Sequence, residues 1–116
     1  METYSRTTNN GTYIWEVPRL IQLASTLPTI QIPVATIPEL DREMWFGGPN
    51  KVRPTCRAVI GHVRRIQNAN LSHPILLAAD GRVIDGMHRI AKALMEGRTH
   101  IDARQFAADP PPDRVQ

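Results

Sequence analysis

The stretch VIDGMHRIAKAL, residues 83–94, decides how this chain is interpreted. It begins as an apolar pair, passes through Asp85-Gly86 and continues with apolar residues at helical spacing. The pattern therefore predicts a strand that turns sharply into a helix, with Gly97 as the C-terminal stop. Because the first N–H groups of a helix carry partial positive charge, such a joint presents a place where an anion is stabilised.

Four residues at this joint carry chemistry. Gly86 lets a ligand or a backbone approach closely, because it has no side chain. Arg89 can contact phosphate oxygens with two N–H groups, and His88 adds a further donor. Asp85 would repel a phosphate, so we expect it to hold Mg²⁺, to orient its basic neighbours or to accept a proton.

A structural explanation of the same residues competes with this one. Asp85 can cap the helix, Gly86 can fill a tight turn, and the two basic side chains can lie on a solvated first turn. However, His88 and Arg89 stand at the end of the helix where a cation opposes the dipole. A bound anion would offset the charges of these two side chains. This explanation of their placement favours a binding role.

The composition is that of a small soluble protein. Its 116 residues are enough for one domain with a single core. No apolar run approaches the ~20 residues that a membrane helix needs, and the polar start METYSRTTNNGT has no apolar export signal. Cys56 is the only cysteine, which excludes an internal disulfide and a multi-cysteine zinc site. We therefore expect a cytoplasmic protein that makes no membrane contact.

The net charge of +3 conceals an uneven distribution. Residues 51–104 contain ten basic and four acidic residues, whereas residues 1–50 contain three basic and five acidic residues. A basic second half suggests an anionic partner, either the phosphates of a small molecule or a nucleic-acid backbone. A solvated arginine-rich surface is an equally simple interpretation of the charge alone.

Elsewhere the patterns predict a small α/β domain of mixed α+β type, with a mixed sheet flanked by three helices. We expect it to span residues 12–106, between a disordered arm at 1–11 and a disordered tail at 107–116. The predicted elements run in the order helix (15–28), strand (29–37), loop (38–55), helix (from 55), hairpin (73–85), helix (86–96) and strand (99–106).

Three predictions about the core accompany these elements. The strand at 29–37 is expected to point Ile30, Ile32, Val34 and Ile37 inward. Trp45 and Phe46 are expected to be buried core residues of the irregular loop. The second helix has an apolar stripe that would face the core, made of Val59, Ile60, Val63 and Ile66.

The segment HPILLAADGRVIDGMHRIAKALMEGRTHIDARQF, residues 73–106, resembles the nucleotide-binding half of the ParB/sulfiredoxin-like superfamily in its motif and in the order of its elements. Members of that superfamily bind nucleotide phosphates with a strand, a glycine-containing turn with His-Arg or Arg-Arg, and the helix that follows. The DGMHR motif at residues 85–89 is most similar to the Asp-Gly-His-His-Arg motif of the free-serine kinases of this fold. A looser resemblance extends over residues 29–106.

The resemblance implies that this motif holds the phosphates of a nucleotide. The phosphates would be bound by four residues: Gly86, Met87, His88 and Arg89. Asp85 would hold Mg²⁺ and take part in catalysis, and ATP, ADP and CTP are all candidate nucleotides. The cysteine of sulfiredoxins falls on Met87, which cannot form a thiolate, so sulfinic-acid reduction is excluded.

Two other places supply candidate residues. In the kinases of this fold a glutamate just after the first strand serves catalysis, and Glu39 or Asp41 is similar in position. Such a carboxylate would accept the hydroxyl proton during phosphoryl transfer. Thr55 and Arg57, at the start of the second helix, would contact the ligand if that helix end faces the motif. The simpler explanations are solvated loop acids, a helix cap and a surface arginine.

These observations favour a nucleotide-binding domain that hydrolyses NTP or transfers its phosphate to a small-molecule acceptor. The alternative is a DNA-binding module of a chromosome-partitioning or plasmid-maintenance system, without catalysis, which would contact DNA through the basic second half. A nuclease is a third interpretation, but no clear paired-carboxylate metal site supports it. The oligomeric state stays open.

Overall fold

Two β-sheets and three α-helices form the part of the chain that the computed structural model describes, residues 2–48 and 52–116. The elements in chain order are β1 (Thr3–Thr8), β2 (Gly11–Glu16), α1 (Val17–Leu23), β3 (Ile30–Pro33), α2 (Cys56–Asn68), β4 (Ile75–Leu77), β5 (Val83–Asp85), α3 (Met87–Met95), β6 (His100–Gln105) and β7 (Arg114–Val115). The predicted mixed α+β class with three helices is confirmed. None of the helices in these residues combines the length and the apolar character of a membrane span.

The larger sheet has the strand order β3-β6-β4-β5. β6 pairs antiparallel with β3 and parallel with β4, and β4 pairs antiparallel with β5, so the sheet is mixed as predicted. β3 lies at an edge, which explains how Pro33 is tolerated in a strand. Of the residues expected inward here, Val34 and Ile37 are buried and Ile32 is half-buried, but Ile30 is exposed, because it lies on this edge strand. The predicted hairpin is β4–β5, and Gly81 in its turn has a φ of +91° that favours glycine.

Two apolar clusters cover opposite faces of β4, because neighbouring residues of a strand point to opposite sides. Ile75 and Leu77 belong to the first cluster, where α3 packs Ile90 and Ala93 against the sheet. Leu76 belongs to the second cluster, which residues of α1 and β2 complete. The helix α3 is thus held on one face of the sheet and the N-terminal elements on the other.

Both ends of the chain take part in a second sheet, which differs from the disordered arm and tail expected at residues 1–11 and 107–116. This sheet has the order β1-β2-β7, and its pairs are antiparallel. The indole N–H of Trp15 also donates to the carbonyl oxygen of Pro110 at 2.8 Å. β1 and β2 form a hairpin across Asn9 and Asn10, so their pairing has a local turn signal, whereas the pairing of β2 with β7 joins distant segments. Met1 lies outside the described residues.

The side of helix α2 that faces the protein is not the side that its apolar stripe predicts. Ile66 is the buried residue of the stripe. The other three are exposed: Val59, Ile60 and Val63. The prediction for these three is wrong, because α2 contacts the rest of the protein through His62, whose ring is held by aromatic stacking.

The loop predicted at residues 38–55 contains a short 3₁₀ turn, Pro38–Asp41. Its residues 49–51 lie outside the described part of the chain. Trp45 and Phe46 are half-buried rather than core residues. Trp45 borders two cavities and Phe46 borders one of them, so the loop contributes to the surface where a ligand can bind.

Replacing Gly86 with alanine tests the close packing at the joint between β5 and α3. Gly86 has a φ of +124°, and a Cβ atom added there would lie 2.5 Å from Cγ2 of Ile75. We expect Gly86→Ala to lower the free energy of unfolding by about 2–4 kcal/mol, because backbone strain and overpacking add. Urea unfolding followed by circular dichroism measures this loss.

The matched control is Gly81→Ala. Gly81 also has a positive φ, but nothing lies within 4 Å of an added Cβ atom. This variant isolates the contribution of the backbone, which we expect to be about 1 kcal/mol. Equal losses in the two variants would contradict close packing as the reason for Gly86.

Candidate functional site

A cavity of about 650 Å³ opens in front of the first turn of α3, and we call it the α3 cavity. The start of β4, the end of β5, the C-terminal end of α2 and the N-terminal segment border it. The ionisable side chains that line it are Glu2, Arg65, His73, Asp85, His88, Arg89 and Arg104. The whole motif at residues 85–89 lines this cavity, so the residues singled out by sequence do lie together.

Arg89 connects three segments at the wall of the α3 cavity. Its guanidinium donates to Oδ2 of Asp85 at 2.8 Å, and to the carbonyl oxygens of His73 at 2.9 Å and Pro74 at 2.7 Å. The ion pair with Asp85 is mostly shielded from solvent. Asp85 thus orients Arg89, which is one of the three roles considered for it.

The start of α3 has no side-chain cap, since Gly86 occupies the N-cap position. Asp85 pairs with Arg89 instead, so the explanation in which Asp85 caps the helix is wrong. The first helical hydrogen bond runs from the N–H of Ile90 to the carbonyl oxygen of Gly86. The earlier N–H groups of this turn lie at the helix end that opens on the α3 cavity.

His88 forms a hydrogen-bonded pair with His62 of α2, and Trp45 covers the pair. Nδ1 of His62 lies 2.8 Å from Nε2 of His88, and the planes of the two rings differ by 12°. The Trp45 ring stacks on both imidazoles, with centroid distances of 4.6 and 4.7 Å and interplanar angles of 10° and 6°. Phe46 contacts the His62 ring edge-on at 5.3 Å. These rings hold α2, α3 and the loop after β3 together.

Burial lowers the pKa of His62, and the charge of Arg65 lowers it further. Burial is also the largest cause that lowers the pKa of His88; the charges of His62 and Arg65 add to it, while Asp85 acts in the opposite direction. Both shifts favour the neutral form of the imidazoles. A neutral pair suits the hydrogen bond between them, because one ring nitrogen donates and the other accepts.

The charges that line the α3 cavity are not balanced. Within residues 2–48 and 52–116, neither Arg65 nor Arg104 forms an ion pair with a carboxylate. The Nε of Arg104 is buried and has no hydrogen-bond partner among the described residues. Burial and the charge of Asp85 raise the pKa of Glu2, while Arg89 lowers it. The cavity therefore carries two guanidinium groups that an anionic ligand would satisfy.

Four predicted site residues do not line the α3 cavity: Glu39, Asp41, Thr55 and Arg57. Oγ1 of Thr55 accepts the Ala58 N–H at 3.2 Å, so Thr55 caps α2, as its simpler explanation predicts. Asp41 and Arg57 are exposed. Glu39 is buried and lines a second cavity. None of these four residues therefore lies in the α3 cavity, although Glu39 shares the second cavity with Met87 of the motif.

Sequence analysis misses several residues of the site. Glu2 lies in the segment expected to be disordered, and His62 is 26 residues away from its partner. Neither has a local signal that would have revealed its place. Arg104 does have a local signal, because the strand alternation that buries Ile101 and Ala103 directs Arg104 to the opposite face of the sheet, toward the α3 cavity.

Comparisons with known proteins give no match: a scan against protein-family models, a search of curated proteins and a search of solved structures each find nothing that matches this chain. The resemblance to the ParB/sulfiredoxin-like superfamily therefore stays a prediction from the sequence. The function has to be inferred from the geometry and charge of the site itself.

The histidine pair predicts that stability falls as the pH is lowered through the histidine range. Both pKa values are lowered by folding, so the unfolded chain binds protons more readily and stability is lost as the pH falls below about 6.5. We expect the free energy of unfolding, measured by urea titration, to drop between about pH 7 and about pH 5. The double variant His62→Gln, His88→Gln should show a smaller drop.

The control for this measurement is His100→Gln. His100 is exposed at the start of β6 and lies outside the α3 cavity. This variant should keep the pH dependence of the wild-type protein. If the double variant keeps it as well, the neutral histidine pair is not its source.

Proposed function

We propose that the α3 cavity binds the phosphate groups of a nucleotide, with ATP, ADP and CTP as the candidates. The observation that carries this proposal is the uncapped start of α3 beside Arg65 and Arg104, which lack a carboxylate partner among the described residues. Helix N–H groups and guanidinium groups are both donors that suit phosphate oxygens. A volume of about 650 Å³ also falls within the range of small-molecule sites.

In this proposal the basic residues of the motif position the first turn of α3 and do not make the main contact with the phosphates. Arg89 is held by Asp85 and by backbone carbonyls, so it would keep the first turn of α3 in place and add its charge. His88 is held by His62 and would position the same turn. The direct contact would come from the guanidinium of Arg104, which lines the cavity and has no carboxylate partner in the described residues.

Mg²⁺ is the cofactor that we propose, held by Asp85. In residues 2–48 and 52–116 no group of three or more His, Cys, Asp or Glu side chains is placed to hold a metal by itself. A single carboxylate fits Mg²⁺, which often binds through one or two carboxylates and takes its other ligands from phosphates and water. The ion would neutralise phosphate charge.

The reaction that we propose is hydrolysis of NTP, or transfer of its terminal phosphate to the hydroxyl of a small molecule. The water or hydroxyl oxygen bonds to the terminal phosphorus while the bond to the leaving nucleotide breaks, and a carboxylate takes the proton. Glu2 suits this role better than Glu39 or Asp41, because it lines the same cavity as Asp85. We also propose a cytoplasmic setting, where nucleotides are abundant and the lone Cys56 stays reduced.

Isothermal titration with ATP, ADP and CTP, each with Mg²⁺, tests the binding. We expect heat with at least one nucleotide, and an affinity about tenfold lower in Arg104→Ala, because a hydrogen bond to a charged group contributes about 1.5–3 kcal/mol. For the reaction, Glu2→Gln should slow phosphate release about a hundredfold while the nucleotide still binds.

Arg98→Ala is the matched control for Arg104→Ala. Arg98 pairs with Glu96 on the surface and lies outside the α3 cavity. This variant should bind nucleotide as the wild-type protein does. The absence of heat with all three nucleotides would contradict the proposal.

DNA binding, as in a partition or plasmid-maintenance module, is a second candidate that the arginines of α2 favour. Arg57 and Arg64 are exposed, form no ion pair within the described residues and lie two helical turns apart on one side. Fluorescence anisotropy with duplex and single-stranded DNA should then show binding that weakens steeply with salt. The double variant Arg57→Ala, Arg64→Ala should reduce that salt dependence. No binding at low salt would exclude this candidate.

A further inference from the structure

A second cavity, which we call the loop cavity, lies between α3 and the loop that follows β3, and its volume is about 750 Å³. Most of its wall is apolar, with side chains from Leu40, Met44, Phe46, Val52, Leu94 and Met95. Leu94 is 46% exposed and Met95 is 71% exposed, which is unusual for grouped large apolar residues. Such a surface around an open cavity indicates a binding site.

Glu39 places a carboxylate in the wall of this apolar cavity. It is 5% exposed, and it is the one polar or charged residue among those described that is buried. Its Oε2 accepts the Val83 N–H at 2.7 Å, but no basic side chain in the described part of the chain pairs with it. A buried carboxylate without a cation is strongly unfavourable, so a cationic ligand in the loop cavity would give Glu39 the partner that it lacks among the described residues.

The other charged residues of the loop cavity lie at its exposed rim: Arg42, Glu43 and Arg53. Solvent and salt screen charges in such positions, so their effect on a ligand inside the cavity is small. The buried charge of Glu39 is screened least. The preferred ligand therefore carries a positive charge.

We infer that the loop cavity binds a small apolar molecule that carries a protonated amine. The ammonium group donates to the carboxylate of Glu39, and the hydrocarbon part lies against Phe46 and Leu94. A volume of about 750 Å³ is typical of small-molecule sites, which favours a compact ligand over a protein segment. Glu39 does not line the α3 cavity, so this site stands independently of nucleotide binding.

Octylamine, 1-octanol and octanoate are suitable probes, because they share an alkyl chain and differ in the head group. Isothermal titration at neutral pH should show octylamine binding at least tenfold more tightly than the other two, since only the ammonium group pairs with Glu39. Glu39→Gln keeps an oxygen acceptor for the Val83 N–H and removes the charge. It should weaken octylamine binding about tenfold and leave 1-octanol binding unchanged.

Leu94→Lys is a second variant that leaves the buried carboxylate in place. Leu94 is partly exposed, so a lysine is compatible with folding there, and its charge would compete with the ammonium group for Glu39. We expect octylamine binding to fall at least tenfold, and this result decides the question if Glu39→Gln does not fold.

Glu96→Gln is the matched control, because Glu96 is exposed and lies outside the loop cavity. It should bind octylamine as the wild-type protein does. Equal affinities for the three probes would show an unselective apolar groove and overturn the inference. Tighter binding of octanoate, or full octylamine affinity in both cavity variants, would overturn it as well.

Discussion

The closeness of Gly86 to Ile75 is the constraint on which the rest of the site depends. No side chain fits between the joint of β5 and α3 and the strand beneath it. The chain therefore passes from strand to helix directly above the core, which brings Ile90 and Ala93 inward and sets the first turn of α3 at the cavity. Arg89 then ties this joint to the carbonyl groups before β4. Packing alone accounts for the glycine, and the approach of a ligand is not needed to explain it.

Stacked rings separate two cavities of different chemical character. Trp45 lines both cavities and rests on the pair formed by His62 and His88. On one side the start of α3 meets guanidinium groups without carboxylate partners in the described residues, which suits anionic ligands. On the other side an apolar wall surrounds the carboxylate of Glu39, which suits a cationic one. Both sites share the loop after β3.

The elements next to the motif are those that local patterns predicted best. The hairpin β4–β5, the end of α3 before Gly97 and the alternation of β6 are all confirmed, because residues adjacent in sequence specify each of them. The motif at residues 85–89 likewise lines a cavity. In the second sheet only β7 lacks a local signal, because it joins the two ends of the chain, with Trp15 bonded to a residue 95 positions away.

The sequence by itself determined the mixed α+β class and the strand-to-helix joint, since turn residues and apolar periodicity act over a few neighbouring positions. Only the tertiary structure decided which side of α2 faces inward and which carboxylates share a cavity with Asp85. Glu39 lies in a different cavity from Asp85, whereas Glu2 lies in the same one. The physical reason is that these outcomes depend on ring stacking, burial and charge pairing between distant segments. Local spacing specifies what an element is, but long-range contacts specify which way it faces.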